Sequence, residues 1–89
     1  MTIEHDLTSD AIYIHLRPAI AYAFGEDLDT ERRIDYGADQ RPIGVELLNV
    51  SHGVNLADLP EPNEIARLLA GAGVKVLTAP GPGDTTGGS

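Results

Sequence analysis

Apolar and polar residues alternate with period two through much of the first half of the chain, and a helical spacing emerges once, near residue 65. Thr2 to Asp6 puts Ile3 and His5 on one face and Glu4 and Asp6 on the other. Leu7-Thr8-Ser9-Asp10 is a polar, turn-like tetrapeptide, and Ala11 to Leu16 follows as a strand rich in β-formers. A four-residue loop at 7–10 pairs Ile3 with Ile14, Glu4 with Tyr13 and His5 with Ile12. The second strand then turns Ile12, Ile14 and Leu16 to the core, and Tyr13, His15 and Arg17 away from it. Pro18 ends it, because proline cannot donate to a ladder.

The second hairpin, 33–48, is the centre of the pattern. Ile34 and Tyr36 alternate with Arg33 and Asp35, Gly37 to Pro42 supplies turn residues, and Ile43 to Val50 is a longer apolar run. Setting Ile34 opposite Val45 brings Tyr36 to Ile43 and Arg33 to Glu46 as a cross-strand ion pair, and leaves Asp35 facing Gly44. The run 43–50 reads as apolar on both sides, with Ile43, Val45 and Leu47 on one and Leu48 and Val50 on the other. Such a strand belongs at the centre of a sheet or at an interface.

Between the hairpins, Ala21 to Phe24 predicts a short strand and Glu26 to Glu31 a charged, solvated loop. The carboxylates of that loop lack the spacing and the internal glycine of a calcium site. After Ser51-His52-Gly53 breaks the sheet pattern, Val54 to Leu59 has room for one helical turn. Pro62 opens a helix over 62–71, with Ile65, Leu68, Leu69 and Ala72 as its buried stripe and Glu64 and Arg67 facing water. Gly71 and Gly73 stop it. Val74 to Leu77 is a last short strand, and strand 43–50, helix and final strand are expected to form one β-α-β crossover onto the same sheet. The fold expected is therefore α+β: an antiparallel, meandering sheet of four to six strands, one C-terminal helix packed on one face, and a short final strand. It occupies one domain over 1–78, and 79–89 is a Gly/Pro-rich tail expected to be disordered. Alternation alone leaves the strand order open.

Charge narrows the partners. Fourteen carboxylates against six Lys plus Arg give a formal charge of −8, which repels phosphate backbones and suits a basic protein surface. No cysteine is present, so disulfides, thiolate zinc sites and cysteine nucleophiles are excluded. No apolar run approaches the ~18 residues of a membrane span, and a cytoplasmic protein is expected, without nucleic-acid or membrane partners.

The chemistry-bearing residues form no catalytic set. His5, His15 and His52 are the only groups suited to a soft metal or to proton transfer near neutral pH, and the register sends His5 and His15 to opposite faces. No serine or threonine lies in a nucleophile elbow, and Gly71-Ala72-Gly73 ends a helix instead of opening one on a phosphate. Asp35 and Glu46 are the one plausible acid/base pair, with Arg33 positioned to neutralise one of them. No catalytic residue, cofactor or metal ligand is assigned.

Asp10-Ala11-Ile12-Tyr13-Ile14-His15-Leu16, then Asp35-Tyr36, then Ile43-Gly44-Val45-Glu46-Leu47-Leu48 and Ser51, resemble a prokaryotic family known as domain of unknown function 2283 (DUF2283). The resemblance covers about residues 1–52. Ile34 stands where the family pattern has Val, and Asp39 occupies the position often filled by a second Asp. It implies a β-sheet with a helix, and brings no established activity, cofactor or catalytic residue. Small families of this kind often sit beside toxin-like partners, so the resemblance also suggests an antitoxin-like role.

Two readings of function follow. The first is a non-enzymatic interaction or regulatory module that self-associates as a homodimer or binds an unidentified, basic protein through Tyr13, His15, Asp35, Tyr36, Glu46 and Leu48. The second is a small-molecule-binding or enzymatic domain using Asp35 and Glu46 with His15 or His52, which requires those side chains to converge on a pocket.

Overall fold

The structure, a computed structural model, describes residues 1–77; Thr78 to Ser89, and with them the expected tail, lie outside the described residues. Five strands build the main sheet: β1 (Thr2–Asp6), β2 (Ala11–His15), β3 (Phe24–Asp27), β4 (Arg32–Tyr36) and β5 (Pro42–Leu48). A 3-10 turn at Val50–His52 leads to β6 (Val54–Asn55), helix α1 (Pro62–Gly71) and β7 (Val76–Leu77). The sheet is antiparallel in the order β1-β2-β5-β4-β3, and β6 and β7 form a separate parallel pair. The fold is α+β with one helix, as the pattern predicted.

The first hairpin has the expected register, Ile3 with Ile14, Glu4 with Tyr13 and His5 with Ile12. In the second, Arg33 faces Glu46, Ile34 faces Val45 and Asp35 faces Gly44. Beyond Asp35 the ladder slips, so Tyr36 meets Pro42 and not the predicted Ile43. The Ile43 carbonyl has other partners: it accepts from the amides of Leu16 and Arg17 at 2.9 and 3.1 Å. Gly37 to Arg41 closes as a compact turn, with Gly37 and Arg41 bonded at 3.0 Å and Gln40 in the left-handed region.

β5 lies at the centre of the sheet, flanked by β2 and β4, although its two faces are not both apolar. Ile43, Val45 and Leu47 are buried; Leu48 is exposed, and Val50 has left the strand for the 3-10 turn, where it joins the core. The other side of β5 is Gly44, Glu46 and Leu48. The third strand also starts later than predicted. Ala21 to Ala23 belongs to the connection, and Glu26 and Asp27, read as loop, are strand residues opposite Ile34 and Arg33.

One side of the sheet carries the core. Ile12, Ile14, Val45 and Leu47 pack with Val50, Val54, Leu59, Ile65 and Leu69, and no charged or polar residue is buried among them. Each such side chain is worth about 1.5–3 kcal/mol relative to exposure, against about 0–1 for an exposed ion pair such as Glu64–Arg67. Packing therefore decides the fold. The helix has the expected bounds, with Ile65 and Leu69 inward. It ends where Gly73, at φ +76°, lets Val74 reach back to the Leu69 carbonyl at 2.9 Å. The predicted crossover needs correction: β7 joins β6, not the main sheet, and the helical turn precedes Val54 instead of following it. The parallel pair is held near the sheet by Arg32, whose guanidinium bonds Asp29 and the carbonyls of Asn55 and Ala57.

Candidate functional site

The helix leaves the other side of the sheet open. Because paired residues share a face, the register lines up Glu4, Tyr13, Glu46, Arg33 and Asp27 across all five strands. Beside that row run Thr2, His15, Gly44, Asp35 and Gly25. Both glycines in the second row are covered by diagonal neighbours. A Cβ at Gly44 would overlap the Tyr13 hydroxyl and lie 2.5 Å from its Cζ, and a Cβ at Gly25 would lie 2.6 Å from the Arg33 Cζ. The missing side chains are what let a phenol and a guanidinium lie flat across the sheet.

These two groups meet at Asp35. The Tyr13 hydroxyl donates to Asp35 Oδ2 at 2.9 Å and Arg33 Nε donates to Oδ1 at 3.1 Å. Arg33 also donates to Asp27 at 3.2 Å and to the Tyr22 hydroxyl at 3.0 Å. On the other flank the Tyr13 ring stands edge-on to His15, with centroids 4.7 Å apart, and His15 Nε2 donates to Glu4 Oε2 at 2.6 Å. One polar network thus spans the sheet from β1 to β3.

Burial first, then the hydrogen bond to Asp35 and the charges of Asp35, Glu46 and Glu4, push the Tyr13 hydroxyl well above the usual phenol range. It stays a donor at any physiological pH. The Arg33 guanidinium is pushed further up by its bonds to Tyr22, Asp35 and Asp27, so its charge is permanent.

Glu46 stands apart from this. Among the described residues it makes no side-chain hydrogen bond, and the expected ion pair with Arg33 is absent although the two residues are cross-strand partners. Over Gly25 the guanidinium reaches two carboxylates and a phenol, a fuller set of partners than Glu46 alone. Glu46 instead borders a shallow depression of about 420 Å³, together with Glu4, Asp6, Ala11 and Tyr13. Asp35 does not line it, so the two carboxylates proposed as an acid/base pair do not converge on one cavity. His52 is exposed in the 3-10 turn, outside this network. Among the described residues no group of three or more His, Asp or Glu is placed to hold a metal ion, and no helix is long and apolar enough to cross a membrane.

Of the six residues picked from the sequence, Tyr13, His15, Asp35 and Glu46 share the open face. Leu48 lies on the same side, opposite Ala11, and is exposed at 39%. Tyr36 does not belong: it sits on the other side of β4 from Asp35 and stacks on Phe24, centroids 5.0 Å apart and planes 11° off parallel. Glu4, Arg33, Asp27, Tyr22 and the two glycines were missed as members. Glu4 was legible from its pairing with Tyr13. Gly25 was hidden by the misplaced third strand.

The residues that carry the family resemblance meet in space. Tyr13, Gly44 and Asp35 form the contact just described. Asp10, at φ +54°, accepts from the Ser51 amide and hydroxyl at 2.9 and 2.6 Å, tying the first hairpin loop to the turn after β5. No family model matches the chain, and neither a curated protein nor a solved structure matches it.

Proposed function

We propose that the chain is a non-enzymatic, cytoplasmic protein-interaction module, a divergent relative of the DUF2283 family, working through the helix-free face of its sheet. The observation that carries this reading is the state of the polar groups on that face. Asp35 is occupied by Tyr13 and Arg33, Glu4 by His15, and Asp35 does not reach the depression that Glu46 borders. An acid/base mechanism needs a group free to take a proton at a reacting atom, whereas this arrangement holds a broad polar surface rigid. Rigid polar side chains around a few apolar contacts suit recognition, because little side-chain entropy is lost on docking.

The partner in this reading is another protein. A homodimer seated on β5 would need a second apolar face on that strand, and that side carries Gly44, Glu46 and Leu48 instead. Two copies placed face to face would oppose carboxylate to carboxylate. A photo-crosslinking residue tests the surface in the native cells. Placed at Leu48 it is expected to capture a specific partner, and placed at Arg67 on the far side of the helix it is not. Capture from 67 alone would refute the reading. Sedimentation equilibrium at micromolar concentration is expected to give a monomer, and a dimer whose crosslinks run 48-to-48 would restore self-association.

A further inference from the structure

We infer that the β1-β2-β5 half of the open face docks an extended, lysine- or arginine-bearing segment of a partner polypeptide. This rests on the reading of the open face as an interaction surface and supplies the chemistry of its partner. Glu4, Asp6 and Glu46 rim this half, Ala11 forms its low floor, and the Tyr13 ring and Leu48 stand beside them. No lysine or arginine lies on it. The six cations are placed elsewhere: Arg33 is engaged by Asp27, Asp35 and Tyr22, and Arg32 is on the core side. Arg17 reaches Asp39 in the turn beyond β4, Arg67 is paired to Glu64 on the helix, Arg41 is in that turn, and Lys75 precedes β7.

Glu4 is held by His15, and Asp6 by the Ser9 hydroxyl and the Thr8 and Ser9 amides. Glu46 is the one with no side-chain partner among the described residues, so the face keeps an excess of carboxylate beside an apolar floor and an aromatic ring. That combination suits the alkyl stem and cationic head of Lys or Arg: the head meets the carboxylates and the stem covers Ala11 and the ring. Glu4 and Glu46 are separated by one intervening strand, about 10 Å at ~4.8 Å per strand step. Alternate side chains of an extended segment share one face and repeat at about 7 Å, and the long flexible stems of Lys or Arg span the remaining few ångströms, so one segment crossing the strands reaches both.

The test uses the full chain, labelled with ¹⁵N, and two synthetic probes: a peptide of alternating arginine and valine, and its glutamate-valine counterpart. The basic peptide is expected to shift the amides of β1, β2 and β5, with affinity falling steeply as salt is raised. Glu46→Lys is expected to weaken it roughly tenfold and Glu46→Gln by less. Glu64→Lys, which changes net charge equally but on the helix, is expected to stay within about twofold of the parent. Preserved dispersion of the remaining amides shows that each variant is folded. Equal losses from Glu46→Lys and Glu64→Lys would overturn the inference, because attraction would then follow net charge alone. Shifts on this face from the acidic peptide only would overturn the cationic partner while keeping the face as an interaction surface. Shifts on it from neither peptide would remove both. Concentration-dependent shifts of the same amides without peptide would make a second copy the occupant, and would also overturn the inference.

Discussion

A single methyl group at Gly44 tests the organisation of the open face. In the parent, the Tyr13 ring lies over Gly44, and a Cβ there would occupy the place of its hydroxyl. Gly44→Ala therefore drives the phenol off the sheet and breaks its bond to Asp35. A hydrogen bond to a charged group is worth about 1.5–3 kcal/mol, discounted to about 1–2 for a partly exposed pair, and some ring burial is lost as well. Alanine recovers about 0.5–1 kcal/mol by restricting the unfolded chain. The net loss expected is about 1–2 kcal/mol, or roughly 4–15 °C in Tm for a domain of this size. The sign should reverse once the ring is gone. In a Tyr13→Ala background the new methyl group meets no phenol, so Gly44→Ala becomes stabilising by about 0.5–1 kcal/mol. The coupling is the sum of the two, about 1.5–3 kcal/mol. Urea unfolding of all four proteins, with equal m-values, measures it. Equal destabilisation by Gly44→Ala in both backgrounds would show that the glycine is required for some other reason, and that the Tyr13–Asp35 contact does not organise the face.

Three further outcomes are expected. Leu69→Ala empties a fully buried position under the sheet and should cost about 2–5 kcal/mol, a large share of the stability of a domain this small; Leu7→Ser, at a position 80% exposed, should stay within about 0.5 kcal/mol. Arg32→Met removes the donor to the Asn55 and Ala57 carbonyls, so amide hydrogen exchange should quicken across 53–59 while β1 and β2 keep their protection; unchanged exchange there would show that Arg32 does not anchor the segment. The pH dependence concerns Tyr13. Its native hydroxyl ionises above the ordinary value of 10.0, so above that pH the unfolded chain releases a proton the native state keeps, and stability falls as pH rises. The stabilisation is fully present below pH 10 and is lost progressively above it. Ultraviolet titration should show one of the three tyrosines ionising last, and Tyr13→Phe should remove that step; three coincident ionisations would contradict the burial of the phenol.

Local pattern was enough for several elements, for identifiable reasons. The first hairpin joins two alternating runs through a short loop, and a slip of one residue would have turned Ile12 and Ile14 to water. Its register is therefore over-determined. The helix bounds follow from Pro62 at its start, the apolar stripe that begins at Ile65, and the glycines at 71 and 73. Misreadings occurred where a residue's environment comes from far along the chain. Val50 looks like the outward side of a strand until the backbone turns at Asn49, itself left-handed at φ 54°. Glu26 and Asp27 read as loop because charge depletes strands, yet an edge strand tolerates charge and gains protection from it. The slip at Tyr36 depends on the Ile43 carbonyl finding partners in Leu16 and Arg17, just beyond β2 and more than twenty-five positions away.

The candidate site divides in the same way. Sequence alone determined that Tyr13, His15, Asp35 and Glu46 would stand clear of the core, because period-two alternation assigns a face to every strand residue once one is known. It determined too that the chain would be strongly acidic and would rely on aliphatic packing without cysteine. Only the tertiary structure decided that Tyr13 crosses Gly44 to Asp35 and that Arg33 crosses Gly25 and abandons Glu46. The reason is that side chains in a sheet choose among diagonal as well as direct neighbours. That choice depends on which strands adjoin, and strand order is set by the joint burial of nine distant apolar residues under the helix.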